Sequence, residues 1–141
     1  MTADELLRAH DLRSTRARRE IVAYLQTRGA AATSAELERA CRADRVTTYR
    51  TLLAFEEAGI LHRFRTESSR TDYFALCGGE CTPGGHDHEH PHFRCLGCER
   101  AVCIRGAAPA PAVDLPRGYT LEATKLTYEG LCPACNATQP Q

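Results

Sequence analysis

The chain has 141 residues, eight cysteines, no tryptophan and no net formal charge, with 18 Lys+Arg against 18 Asp+Glu. That length excludes a large multidomain assembly and fits one or two small domains, each close to the lower size limit for a self-sufficient core. Neutrality leaves no overall charge by which to attract nucleic acid or a membrane, and no stretch approaches the roughly 18 apolar residues of a membrane span. The charged N-terminal stretch has no apolar run. No export signal is therefore expected, the chain is expected in the cytoplasm, and paired cysteines read as metal ligands rather than disulfides.

The charge is unevenly spread. Residues 1–76 hold 13 Arg and 11 Asp/Glu, a balance of +2, and residues 77–141 hold 5 Lys/Arg and 7 Asp/Glu, a balance of −2. Lys125 is the one lysine. Arg13, Arg16, Arg18 and Arg19 cluster at the start of a predicted helix, a pattern that serves as a solvated face and can also touch phosphates.

In chain order, residues 3–10 predict a short amphipathic helix. Thr15 caps a longer one over 16–28, with Ile21, Val22 and Leu25 on its apolar stripe, and Gly29 ends it. Ala30–Ala32 reads as a connector. Thr33-Ser34-Ala35-Glu36 is a capping box opening a third helix, Ser34 to about Ala40. After a turn at Arg42–Arg45, a fourth helix spans about Val46 to Ala58 and stops at Gly59. Cys41, alone on the third helix, reads as core. Two β-type runs, Ile60–Thr66 and Thr71–Leu76, flank Glu67-Ser68-Ser69-Arg70 as a hairpin. Helix, turn, helix and hairpin make a winged helix, whose second helix normally lies in the major groove. Taken alone, this half also fits any small helical domain.

Cys77 to Pro91, with four glycines and two prolines, reads as a linker. Beyond it Phe93–Arg94, Glu99–Ile104 and Tyr119–Thr127 predict strands, while the prolines of Ala107–Pro116 argue against a long helix there.

The chemistry concentrates in residues 86–103, HDHEHPHFRCLGCERAVC. Imidazole and thiolate are the ligands zinc prefers. Cys95 and Cys98 form a Cys-x-x-Cys knuckle, repeated by Cys132 and Cys135 after an interval of 33 residues. Two such knuckles predict one four-thiolate structural zinc site.

Enzymatic signatures are missing. His88-Glu89-His90 with Cys132-Pro133-Ala134-Cys135 does not satisfy the zinc deaminase pattern, and no His-Glu-x-x-His helix, phosphate loop or nucleophile elbow is present. No small-molecule substrate is expected. A metal-buffering protein would account for the histidine-rich linker and leave the helix-turn-helix unexplained.

Leu12-Arg13-Ser14-Thr15 with Arg18, Thr47-Thr48-Tyr49-Arg50-Thr51-Leu52 running to Glu57-Ala58-Gly59-Ile60, His90-Pro91-His92-Phe93-Arg94-Cys95-Leu96-Gly97-Cys98, and Gly130-Leu131-Cys132-Pro133-Ala134-Cys135 follow one another along the chain. In this order they resemble the ferric uptake regulator family of metal-responsive repressors over nearly the whole chain. The resemblance implies an α+β chain: a winged-helix DNA-binding domain at 1–76, a His/Gly-rich hinge at 77–91 and a zinc-stapled α/β dimerisation domain at 92–141. It implies a homodimer that binds double-stranded operator DNA when metal-loaded. Tyr49 and Arg50 match the pair that meets bases and backbone, and Arg13 a basic position near the minor groove.

The resemblance also bears on the sensed metal. Iron- and manganese-type members usually have a histidine where this chain has Ala32 and a carboxylate where it has Ala75; a further family site matches Ala110 and Thr124. Zinc-sensing members use positions matching His62, Cys77, His90 and His92, and some add an acidic ligand where this chain has Cys103. The expected regulatory set is thus His62, Cys77, His90, His92 and Cys103, with Cys81, His86 and His88 as alternative donors. The expected cofactors are zinc ions, one structural and at least one regulatory per chain; iron, manganese, nickel or peroxide is the alternative signal.

Overall fold

Helix α1 (Ala3–Ala9) begins where the Thr2 hydroxyl accepts from the Glu5 amide and the Glu5 carboxylate accepts from the Thr2 amide at 2.7 Å. The same reciprocal box, Thr33 with Glu36, starts α3 (Ser34–Cys41). Between them α2 (Arg16–Arg28) is capped by Thr15 and closed by Gly29. α4 (Arg45–Ala58) is capped by Asp44, whose carboxylate accepts from the Thr47 amide and hydroxyl. Gly59 ends α4 at φ +78°, a left-handed turn that side chains with a Cβ resist. The structure, a computed structural model, describes residues 1–78, 90–106 and 111–138, so the expectations placed on Cys81, His86, His88 and Ala110 lie outside the described residues.

Apolar stripes on these helices meet in one core. Leu7, Ile21, Val22, Leu37, Leu52 and Phe55 are all fully buried. Leu61 and Phe74 of the hairpin close it from below, and Cys41 belongs to the same cluster. The hairpin strands β2 (Leu61–Phe64) and β3 (Tyr73–Leu76) are shorter than the sequence runs. Ser69 folds back onto Thr66, its hydroxyl accepting from the Thr66 amide and donating to the Thr66 carbonyl, and this ends the ladder early. The supposed connector ends in a strand, β1 (Ala32–Thr33), which pairs antiparallel with β3 to give the order β1-β3-β2. Two residues carry no periodicity, so only the open edge of β3 reveals them.

The second sheet has the order β5-β4-β6, from β4 (His92–Cys95), β5 (Ala101–Cys103) and β6 (Thr127–Gly130). β4 runs antiparallel to β5 and parallel to β6. The expected strand at Tyr119–Thr127 is a correction: residues 119–126 are irregular, and pairing starts at Thr127. Leu121 and Ala123 alternate with polar residues as a strand would, but β4 has one remaining edge and residues 127–130 occupy it. A short helix not foreseen from sequence, α5 (Pro133–Ala137), follows with Cys132 as its cap.

The two sheets touch through small residues. Ala31, Ala75 and Ala101 are buried with Phe64 and Tyr73, and the Ala31 amide donates to the Ala101 carbonyl at 2.9 Å. Larger side chains at the alanines would hold the sheets apart. Among the described residues no helix is long and apolar enough to cross a membrane.

Candidate metal centres and nucleic-acid interface

Cys95 ends β4, Cys98 follows in the turn to β5, and Cys132 and Cys135 bracket the start of α5. One sulfur from each of the four lies within 4.8 Å of every other. The Cys98 and Cys132 sulfurs are 3.8 Å apart. Zinc–sulfur bonds of about 2.3 Å in a tetrahedron demand a sulfur–sulfur edge of about 3.8 Å, so the donors fit zinc. The amides of Cys98 and Cys132 point at the Cys95 sulfur from 3.5 and 3.3 Å and pull its pKa down to about 6, while hydrogen bonds to Cys132 and Cys95 push the Cys135 thiol up to about 12. Gly97 keeps the knuckle tight, because a Cβ there would stand 2.8 Å from the Cys135 sulfur.

The second group spans the two halves of the chain. His62 comes from β2, His92 from β4, Cys103 from β5, and His90 from the residues just before β4. Their donor atoms also lie mutually within 4.8 Å. His62 Nε2 stands 3.1 Å from His92 Nε2 and 3.4 Å from Cys103 Sγ. Tetrahedral zinc with bonds of about 2.0–2.3 Å needs edges of about 3.3–3.5 Å for such pairs, so this set also fits. His62 and His92 are buried, and Phe64 stacks on the His92 ring at 3.9 Å. Three imidazoles and one sulfur in a partly dry pocket match zinc better than manganese.

Cys77 is not in this group. Its sulfur lies 3.5 Å from Nδ1 of His62, whereas His92 and Cys103 meet the other ring nitrogen, Nε2. It is also disulfide-bonded, whereas Cys41, Cys95, Cys98, Cys132 and Cys135 carry free thiols. A disulfide sulfur lacks the thiolate charge that binds metal, so the ligand role that the resemblance implies for Cys77 requires its reduced thiol. Ala32 and Ala75, where other donor patterns would need a side-chain ligand, are buried.

An arginine that the sequence reading passed over pins the halves together. Arg94, on β4 between His92 and Cys95, has a side chain only 9% exposed. Its guanidinium donates to the Tyr73 hydroxyl at 3.0 Å, to the Ser68 hydroxyl at 2.9 Å and to Glu99 at 3.1 Å, with Glu129 at 3.7 Å. Ser68 also donates to Glu129. The Tyr73 hydroxyl leads the interactions that raise the Arg94 pKa. The one sequence signal was a charge inside an otherwise buried strand, and no partner could be named from it.

On α4, Thr48, Thr51, Leu52 and Phe55 face the core. Val46, Tyr49, Arg50 and Leu53 form the opposite stripe, exposed at the i, i+3, i+4, i+7 spacing of one helix face. This face combines a guanidinium, a phenol and two apolar side chains, the groups that read base edges and thymine methyls. Arg13 is exposed beside the start of α2, where its carbonyl accepts from Arg18 at 2.9 Å.

A family profile described as the ferric uptake regulator family matches residues 9–107. Solved structures share the fold at low identity. A zinc-bound manganese uptake regulator is 22% identical, with a TM-score of 0.64 over 94% of this chain and 99% of that one. A zinc uptake regulator complexed with zinc and DNA is 20% identical, with a TM-score of 0.62 over 96% and 91%. The ferric uptake regulator of Vibrio cholerae is 22% identical, with a TM-score of 0.60 over 92% and 98%.

Proposed function

The chain belongs to the ferric uptake regulator family, and from that premise we propose that it is a zinc-responsive repressor binding operator DNA as a homodimer when metal-loaded. Membership makes it a metal-responsive transcription regulator and not an enzyme. The observation that carries the finer reading is the donor group His62, His90, His92 and Cys103, drawn from both sheets and containing a sulfur. When bound there, zinc supplies four coordinate bonds that favour one arrangement of the halves over all others. His62 supplies the wing's share of that group; His90, His92 and Cys103 supply the rest. Cys95, Cys98, Cys132 and Cys135 hold a separate structural zinc, and Cys77 acts on the outer edge of His62.

Tyr49 and Arg50 read the major groove, and Arg13 approaches the neighbouring minor groove. A zinc uptake regulator of the same fold, complexed with zinc and DNA, supports DNA as the partner. Val113, Leu115, Tyr119, Leu121 and Tyr128 are exposed along residues 111–128, and a second copy of the chain would cover them.

The test is to count zinc per chain, select a duplex from a random-sequence pool with the zinc-loaded protein, and titrate zinc, iron and manganese against binding of that duplex. Two zincs per chain, with binding lost when the weaker is chelated, is the expected result. One zinc per chain, with iron or manganese restoring binding equally well, overturns zinc sensing.

A further inference from the structure

His62 and Arg63 are neighbours on β2, and successive residues of a strand face opposite ways. His62 is buried in the four-donor group. Arg63 turns toward α4, where its guanidinium grips Glu56: Nε donates to both carboxylate oxygens at 3.0 and 2.9 Å, and a terminal nitrogen to one of them at 2.6 Å. Asp72 on the strand side lies 3.4 Å away, and the Phe74 ring lies 5.2 Å from the guanidinium carbon. Glu56, foremost, and then Asp72 and the Tyr49 hydroxyl raise the Arg63 pKa. Tyr49 and Glu56 are seven residues apart, so they share a side of α4.

Resting on the zinc-repressor reading above, we propose that Arg63 is the positioning residue through which occupancy of the hinge donor group sets the placement of the DNA-facing helix. Fixing the His62 ring fixes the β2 backbone beside it. Arg63 carries that placement to α4 through a charge-assisted fork, whose planar geometry transmits direction as well as distance. Pairing with Arg63 also neutralises Glu56, a carboxylate that would otherwise repel phosphate.

The experiment compares wild type, Arg63→Met, Arg63→Lys and Glu56→Gln as full-length chains. Three quantities are read: zinc affinity without DNA by chelator competition, affinity for the duplex selected above at saturating zinc, and affinity for that duplex with the hinge zinc removed. For Arg63→Met, zinc affinity stays within about twofold of wild type while the zinc-driven gain in duplex affinity falls about tenfold, the scale of a charge-assisted hydrogen bond. Arg63→Lys, lacking the fork, recovers only part of the gain. A role in stability or charge alone lowers duplex affinity equally with and without zinc, leaving the gain intact, and that result overturns the proposal. If Arg63→Met does not fold, Glu56→Gln decides: the same loss of gain supports the coupling, and an unchanged gain refutes it. A wild-type chain without any zinc-driven gain refutes the functional reading itself, which is a distinct outcome.

Discussion

The Nε2 atom of His62 lies 3.4 Å from the sulfur of Cys103, although 41 positions separate them in the chain. Neither hairpin contains such a donor group by itself. The contact exists because three alanines let the wing and the second sheet close on each other, so affinity at this group is a measure of how the two halves sit. Cys103→Ser is expected to lower hinge zinc affinity at least about tenfold, as loss of a ligand does, while the tightly held zinc remains. Cys77→Ser, which breaks the Cys77 disulfide and alters the far side of His62 without removing a donor of the group, is expected to change it by a few fold at most. Chelator competition on the two purified variants checks this, and the reverse ranking would restore Cys77 as a ligand.

Cys98→Ser tests the other centre. One of four thiolates is removed from an exposed position, so direct packing losses are small and the consequence is metal loss. Zinc content is expected to fall by one or more per chain, with the far-ultraviolet spectrum losing its β contribution from residues 92–138. A fully structured, zinc-depleted variant would show that the cysteines are dispensable for folding.

Arg94→Met removes a nearly buried guanidinium that serves Tyr73, Ser68, Glu99 and Glu129 at once. The expected cost is about 2–3 kcal/mol, because the carboxylates retain partial access to water and can be rehydrated. For a chain of this size that is a fall in thermal midpoint of roughly 5–10 °C. Arg94→Lys should recover little of it, since an ammonium cannot serve several partners in one plane. Calorimetry of the zinc-loaded chains decides.

On α4 the two faces should separate cleanly. Phe55→Ala, at a fully buried site, is expected to cost about 3–5 kcal/mol of stability. Tyr49→Ala and Arg50→Ala, on the exposed face, are expected to leave stability within about 0.5 kcal/mol and to weaken duplex binding by about 1–3 kcal/mol each. Denaturation and duplex titration on the same three preparations would expose any mixing of these effects.

Local chemistry was legible in the sequence and long-range registry was not. Thr33 with Glu36, Gly59 and the two Cys-x-x-Cys knuckles are decided by residues within one turn of each other, and each lies where it was expected. The pairing of Thr127–Gly130 with β4 depends on which edge a distant segment reaches first, and the alternation in Leu121–Lys125 pointed to the wrong segment. Nothing in the sequence sets Arg63 and Arg94 apart from other charged residues. Their partners, at separations of 7 residues for Glu56 and 26 for Ser68, become neighbours only once the hairpin is folded. The choice between Cys77 and Cys103 likewise turns on which side of one imidazole each sulfur occupies.

β4 holds His92 at one end and Cys95 at the other, about 10 Å apart at the usual strand rise. The strand that presents a hinge donor is thus anchored by the cysteine cluster. A chain supplied with limiting zinc is expected to fill the cluster first and the hinge donors only after it. The dose–response to zinc would then begin with a silent stretch of about one equivalent per chain, and newly made protein would compete for the ion before reporting it.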